Sequence, residues 1–156
     1  MKYIVLGVVI ALAIFYFITN SNNKKVALEN MATATYFLAK NRTNKDVIET
    51  ASGLQYQVLQ KGEGETHPSA SSTVKVHYHG TLLDGSVFDS SVERDKPISF
   101  PLNQVISGWT EGVQLMVVGD KFKFFIPAEL GYGNRASGKI TPGSLLIFEV
   151  ELLDIQ

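Results

Sequence analysis

The stretch of residues 74–91 constrains the fold of this chain more than any other segment, because it predicts a β-hairpin. Apolar and polar side chains alternate from residue 74 to 79, the dipeptide Asp84-Gly85 is a typical turn sequence, and a second short strand follows at 87–91. Successive side chains of a strand point to opposite faces. We therefore expect Val74, Val76 and Tyr78 on an inner face, and Lys75, His77 and His79 on an outer face.

The segments that follow predict the rest of an α+β domain. Residues 105–116 predict a short amphipathic helix with Trp109 on its apolar stripe. Residues 121–127 and 145–152 alternate as strands, and Gly131-Tyr132-Gly133 marks a loop. The fold class that accounts for these segments is a curved antiparallel β-sheet wrapped around one short α-helix.

Aromatic residues from separate elements of this fold are candidates for a single pocket between sheet and helix. Each aromatic residue alone is typical of a hydrophobic core, but together they predict a concave apolar site with a few polar groups, which is typical of ligand binding. The candidates are Tyr78, Phe88, Asp89, Phe100, Val105, Ile106, Trp109, Tyr132 and Phe148.

Four motifs in order along the chain carry a resemblance to a known family. VHYHGTLLDGSVFDSS, VISGWTEGV, IPAELGYG and LLIFEVELLDI resemble the FKBP-type peptidyl-prolyl isomerases, and SGLQYQVLQKGEG resembles their bacterial, macrophage-infectivity-potentiator-like branch. The resemblance covers Ser52–Gln156, about two thirds of the chain. An ordered set of motifs is far more specific than any one of them.

The resemblance implies an FKBP-like fold and a prolyl cis/trans isomerase (rotamase) that needs no cofactor. It implies proline-containing polypeptides as substrates, macrolide-type inhibitors, and a place in protein folding as a chaperone-like enzyme. Two positions depart from the usual pattern, Ile98 and Thr141, and we expect both at the pocket rim. The implied catalytic residues are Asp89, Tyr132 and Tyr78, and the implied substrate-binding residues are Phe88, Phe100, Val105, Ile106, Trp109, Ile140 and Phe148.

Composition excludes several other functions. The formal net charge of −1 gives no electrostatic reason to expect a nucleic-acid partner, and the absence of cysteine excludes disulfides and thiolate chemistry. The pair His77 and His79 would be a metal site only with a third ligand, and none is evident, so we expect no metal. Asp89 could also act as a hydrolytic nucleophile, but no partner base is evident for it. The alternative role for Asp89 is structural, as an acid bonded to Tyr78 or Arg94.

The amino-terminal residues predict a membrane segment. Tyr3–Ile18 is an unbroken apolar run of sixteen residues, which rises about 24 Å as a helix, near the low end of the spanning length. A cleaved signal peptide is the alternative, but Thr19-Asn20-Ser21 is a poor cleavage site. We therefore expect residues 1–20 to be a single-pass anchor in a bacterial inner membrane, with the catalytic domain in the periplasm by resemblance.

Residues 21–51 are predicted to be a linker and a stalk helix, and residues 52–156 the isomerase domain. Leu28, Met31 and Leu38 recur at near-heptad spacing between Lys24 and about Asp46. A stripe this short is more typical of a helix packed on its own domain, or of a stalk, than of a coiled coil. We expect a monomer or a weak homodimer.

Two functions remain open from the residues. The first is a prolyl isomerase that assists the folding of exported proteins. The second is a binding module or holdase that keeps the pocket and captures unfolded chains or a partner without turnover. The presence of the polar residues Tyr78, Asp89 and Tyr132 beside the aromatic ones favours the isomerase.

Overall fold

The computed structural model describes residues 2–156, and its longest element is a single amino-terminal helix. This helix, α1, spans Lys2–Asn41 without interruption. The prediction of a hydrophobic helix, a linker and a separate stalk helix was therefore wrong. Asparagine and serine reduce helix propensity by less than about 0.7 kcal/mol per residue, whereas glycine or proline costs more, and residues 8–41 contain neither of these.

The predicted anchor over residues 1–20 begins outside the described part of the chain. Among residues 2–156, no helix has a stretch that is both long enough and apolar enough to cross a membrane, so the structure does not support the single-pass anchor. The apolar side chains of α1 from Val8 to Ile18 are exposed. Asparagine, serine and lysine residues follow them within the same helix.

The second half of α1 packs against the rest of the protein. Ala27 and Ala34 are buried, and the ring of Phe37 lies 5.8 Å from the ring of Phe125. Near the helix end, the side chain of Asn41 donates a hydrogen bond of 2.9 Å to Gln55. Of the two alternatives left open for this segment, a helix packed on its own domain and a stalk, the structure shows the first.

The rest of the chain is dominated by one antiparallel sheet of seven strands, which confirms the predicted α+β class. Its order is β1-β2-β6-β7-β3-β4, and β5 pairs with β3. The sheet begins before the predicted domain boundary at residue 52. The strands are β1 (Val47–Glu49), β2 (Gln55–Gln60), β3 (Thr73–Thr81), β4 (Val87–Ser90), β5 (Ile98–Pro101), β6 (Lys121–Ile126) and β7 (Leu146–Ile155).

The predicted hairpin is formed by β3 and β4. Its turn is closed by a hydrogen bond of 2.9 Å from the Leu82 N–H to the Ser86 carbonyl, and Gly85 adopts a φ of +85°, a backbone conformation that favours glycine. The predicted alternation is confirmed, because Val74, Val76 and Tyr78 are buried while Lys75 is exposed.

A short helix, α2 (Ser107–Val113), packs against the inner face of this sheet. It is shorter than the predicted segment 105–116, but the predicted stripe of Trp109, Val113 and Met116 is buried. Short 3₁₀ turns lie at Leu102–Gln104 and Ala128–Leu130. The stripe and the inner face of the sheet share one hydrophobic core, to which Phe124, Phe148, Val150 and Leu152 also belong.

Candidate functional site

An aromatic floor lies where α2 meets the sheet. Trp109 is the third residue of α2, and three rings pack edge-on around its indole with interplanar angles of 82–86°. The ring centroids of Tyr78, Phe100 and Phe148 lie 5.3, 5.6 and 5.3 Å from that of Trp109, within the range of favourable edge-to-face contacts. The orientation of the indole is therefore determined from three sides.

The indole N–H of Trp109 is buried and has no hydrogen-bond partner among the described residues. A buried donor without a partner costs about 1–3 kcal/mol, so such groups are rare away from functional sites.

A cavity of about 520 Å³ opens above this floor, a volume within the usual range for small-molecule sites. Strands β3, β4, β5 and β7, the segment that leads into α2 and the loop after β6 all contribute to its wall. The lining residues are Tyr78, Asp89, Phe100, Gln104, Val105, Ile106, Ser107, Trp109, Gly131, Tyr132, Arg135 and Phe148.

One corner of the cavity is polar and is built from Tyr78, Asp89 and Arg94. The β3–β4 register pairs Gly80 with Asp89, so the carboxylate lies diagonal to Tyr78. The Tyr78 hydroxyl donates to Asp89 Oδ2 at 2.5 Å, and Arg94 Nη1 donates to Oδ1 at 2.6 Å. Arg94 Nη2 also donates to the Tyr78 hydroxyl at 3.2 Å. The carboxylate is thus held at both oxygens.

These contacts determine the charge of the corner. Burial raises the pKa of Tyr78, and the hydrogen bond to Asp89 raises it further, so the phenol stays protonated at neutral pH. Burial alone would raise the pKa of Asp89, but the hydrogen bonds from Tyr78 and Arg94 outweigh it, and the net pKa is lowered. Asp89 is therefore ionised at neutral pH and is not available as a proton donor.

Eight of the ten site residues predicted from the sequence line this cavity. The other two, Phe88 and Ile140, are not among the lining residues. Phe88 packs edge-on against Phe148 with ring centroids 5.2 Å apart, and Ile140 is buried in the core. Alternation along β4 does not show which ring contacts Phe88, because that depends on the packing of β7.

Sequence reasoning missed four lining residues: Gln104, Ser107, Gly131 and Arg135. Gln104 and Ser107 flank the predicted pair Val105-Ile106, and Gly131 precedes Tyr132, so adjacency was the available signal. Sequence proximity does not determine which way a loop side chain points, and polar residues in loops are usually solvated.

The two departures from the usual motif are not among the residues that line the cavity. Ile98 is exposed on β5, and Thr141 hydrogen-bonds to Asn30 of α1. Their position at the pocket rim stays a prediction. A tertiary contact with a helix more than 100 residues earlier in the chain cannot be inferred from the local pattern.

The two histidines of the outer face bond to serines. His77 Nδ1 lies 2.6 Å from Ser91 Oγ, and His79 Nδ1 lies 2.8 Å from Ser90 Oγ. Within the described part of the chain, no three histidine, aspartate or glutamate side chains are close enough together to hold a metal ion.

Comparison with known proteins agrees with this fold and site. Residues 64–153 match the family described as FKBP-type peptidyl-prolyl cis-trans isomerase, and residues 13–58 match the domain amino-terminal to it. The fold and the pocket define an FKBP-like α+β protein. The chain belongs to the family of FKBP-type peptidyl-prolyl cis-trans isomerases, which are enzymes.

Similar proteins include the FKBP-type isomerase FkpA of Aeromonas hydrophila, which is 53% identical over 89% of this chain and 52% of the relative. The 22 kDa FKBP-type isomerase of Escherichia coli is 50% identical over 80% of this chain and 60% of the relative. The outer membrane protein MIP of Legionella longbeachae is 44% identical over 86% of this chain and 57% of the relative. The chain thus spans about half the length of these curated relatives.

Among solved structures, the crystal structure of FkpA from Escherichia coli superimposes with a TM-score of 0.85 at 42% identity. The superposition covers 94% of this chain and 70% of the FkpA chain. A peptidyl-prolyl isomerase from Pseudomonas syringae gives a TM-score of 0.76 at 35% identity. This superposition covers 83% of this chain and 96% of that chain.

Proposed function

We propose that this chain accelerates cis/trans rotation about X-Pro bonds in polypeptides without a covalent intermediate. The observation that carries the proposal is the aromatic cavity, in which three rings surround Trp109 and the ion pair of Asp89 and Arg94 lies with Tyr78 at one corner. A prolyl ring is apolar and compact, so the aromatic floor is complementary to it. No step of the reaction requires a proton or a nucleophile.

The reaction requires the enzyme to favour a twisted amide. Rotation about a peptide bond has a barrier of about 18–20 kcal/mol because the C–N bond has partial double-bond character. The planar amide separates charge between oxygen and nitrogen, and the twisted amide separates less. Transfer from water into an apolar pocket therefore disfavours the planar form more than the twisted one. Each reduction of the barrier by about 1.4 kcal/mol accelerates rotation tenfold.

We assign the apolar residues of the cavity to binding the prolyl ring. Trp109 lies under the prolyl ring, and Phe100, Val105 and Phe148 form the walls. Phe88 supports the wall through its edge-on contact with Phe148, and the buried Ile140 supports the loop above the site.

Polar groups hold the peptide on either side of the proline. Ile106 immediately precedes α2, and its backbone N–H donates to no backbone acceptor among the described residues, so it is available to a substrate carbonyl. The Tyr132 hydroxyl holds a second carbonyl. The corner of Tyr78 and Asp89 faces the carbonyl that rotates, where a fixed carboxylate–phenol pair favours the rotated amide.

The activity is tested with the full chain in a protease-coupled or refolding-coupled prolyl isomerisation assay. We expect catalysis above the spontaneous rate and competition by a macrolide ligand of FKBP domains. Lys75→Ala is a matched control, because Lys75 is exposed on β3 between two buried valines and points away from the cavity. If the full chain shows a folded circular dichroism spectrum and accelerates no prolyl substrate, the isomerase proposal is wrong.

A second candidate function is the capture of unfolded chains without turnover. It is favoured by the contiguous exposed apolar side chains of α1 between Val8 and Ile18, since exposed apolar patches of this kind mark interaction sites. The two functions are distinguished by measuring how far the full chain suppresses the aggregation of a denatured client protein, with and without a macrolide ligand in the cavity. Suppression that persists in a macrolide-saturated protein supports capture by α1, and suppression that is lost supports the cavity.

The place of action is also proposed. One relative is named an outer membrane protein, which supports a site of action outside the cytoplasm, in the bacterial periplasm. Protease protection in intact and lysed spheroplasts tests this, because a periplasmic domain is digested before lysis. Sedimentation of the purified full chain tests the predicted monomer or weak homodimer.

A further inference from the structure

A polar contact joins α1 to the turn of residues 141–144, which connects the loop over the cavity with β7. The side-chain amide of Asn30 donates two hydrogen bonds to this turn, of 2.9 Å to Thr141 Oγ1 and 2.8 Å to the carbonyl of Pro142. The carbonyl can only accept, so the amide nitrogen of Asn30 must face the turn. The contact spans more than 100 residues of sequence.

The hydroxyls of the turn complete a directed chain of hydrogen bonds. Ser144 Oγ donates to the Thr141 carbonyl at 2.6 Å, and the two hydroxyl oxygens lie 2.9 Å apart. Because the Ser144 proton is used for the carbonyl, the Thr141 hydroxyl donates to Ser144 and accepts from Asn30. Every hydroxyl then donates once, and the turn is braced from α1.

The backbone of the turn lies directly against α1. Gly143 has a φ of +73°, and a Cβ at this position would lie 2.4 Å from the carbonyl oxygen of Ala27. Ala27 itself is buried. Helix and turn therefore meet with no room for a side chain on the turn, and the position of one determines the position of the other.

The turn 141–144 contacts the chain next to two residues of the predicted site, Tyr132 and Ile140. The Gly143 N–H donates to the Gly133 carbonyl at 2.8 Å, and Gly133 directly follows Tyr132, which lines the cavity. Ile140, which precedes Thr141, is buried in the core next to the turn. A continuous set of contacts thus runs from Asn30 through the turn to Tyr132.

We propose that Asn30 and Thr141 are positioning residues, which set the height of Tyr132 above the cavity by holding the turn 141–144 against α1. The helix is then part of the catalytic unit, and the threonine in place of the usual residue supplies the hydroxyl that the contact requires. This inference rests on the proposed function.

Isosteric substitutions in the full chain test the inference. Asn30→Asp keeps the shape of the side chain but presents an acceptor to the Pro142 carbonyl, and Thr141→Val removes only the hydroxyl. Each is expected to lower kcat/KM by about three- to tenfold, the scale of one or two hydrogen bonds. Thr141→Ser, which keeps the hydroxyl, is expected to retain activity. Thr33→Val on the exposed face of α1 is the matched control.

The double variant Asn30→Asp with Thr141→Val is expected to lose little more than either single variant, because both act on one contact. Fully additive losses would mean that the two residues act separately and would overturn the inference.

Amide hydrogen exchange provides a readout that does not depend on activity. The Gly143 and Arg135 amides, which bond to Gly133 and Tyr132, are expected to exchange faster in Asn30→Asp than in the unaltered chain. Unchanged exchange overturns the inference, even if the protein proves inactive. Faster exchange with unchanged kcat/KM and unchanged macrolide affinity also overturns it, because α1 would then only stabilise the fold. If the unaltered chain catalyses nothing but the exchange responds, the proposed function fails and the contact stands as the positioning device of a binding site.

Discussion

The floor of the cavity and the loop of residues 131–145 above it are held in place by different kinds of contact. Trp109 on the floor is surrounded by aromatic rings from the sheet, and hydrophobic packing determines its orientation. The loop is held by the burial of Ile140 and by a few hydrogen bonds, and one end of it is bonded to Asn30 of α1. A packed floor resists small changes because it has many neighbours, whereas a loop held by single polar contacts is adjustable.

The largest expected effect is at the floor. Trp109→Ala deletes a buried aromatic side chain, which typically costs about 3–5 kcal/mol in the free energy of unfolding. For a chain of this size, this corresponds to a decrease in Tm of about 10 °C, with a loss of kcat/KM as well. Trp109→Leu keeps more of the volume and is the control. A Trp109→Ala variant with normal Tm would show that the floor does not depend on packing.

The second effect is at the polar corner, where activity and stability should separate. Asp89→Leu removes the carboxylate that Tyr78 and Arg94 hold, so we expect kcat/KM to fall at least about tenfold. Because the Asp89 side chain is 45% exposed, Tm should change by no more than a few degrees. Thermal melts and the isomerisation assay on the same preparation measure both. Full activity in this variant would mean that cavity shape alone promotes rotation.

A smaller effect is expected at the loop. Tyr132→Phe removes one hydroxyl at the edge of the cavity, and the loss of one hydrogen bond of about 1 kcal/mol corresponds to about a fivefold decrease in kcat/KM. Tm should stay within a few degrees. Tyr36→Phe, an exposed residue of α1, is the matched control. A larger loss in Tyr132→Phe than in Asp89→Leu would reverse the comparison between corner and loop.

The smallest effect is expected from pH. The pKa of Asp89 is lowered in the folded protein, so its contribution to stability is present above the unfolded value of about 4 and is lost as the pH falls through the folded value. We therefore expect kcat/KM to vary little between about pH 5 and 8 through this group. The free energies of urea unfolding of the chain and of Asp89→Asn should differ above about pH 4 and converge as the pH falls through the folded value. A difference that grows as the pH falls would contradict the lowered pKa.

Much of the site was predictable because it lies on regular elements. Tyr78 and Asp89 belong to one hairpin whose alternation and turn dipeptide determine the faces of both strands. Trp109 lies on the one short helix with an apolar stripe. Local periodicity thus indicated which residues face inward, and the ordered motifs indicated that the inward residues meet.

The parts that were not predictable depend on what lies opposite each residue. Phe88 was expected in the cavity but packs edge-on against Phe148 and is not among the lining residues, and Arg135 was missed because a loop side chain has no periodic signal. A linker after residue 20 was expected to interrupt the helix, but weak helix formers are tolerated where no glycine or proline intervenes.

The sequence alone determined the α+β class, the hairpin and the buried stripe of α2, because these follow from the local alternation of apolar and polar side chains. The eight lining residues were indicated by the ordered motifs that resemble a known family. Only the tertiary structure decided that α1 continues unbroken and that Asn30 meets the turn after Ile140. The reason is physical: periodicity reports which face of an element is buried, but not which distant element covers it. The contact between Asn30 and Thr141 forms only when the tertiary fold places α1 against the turn before β7.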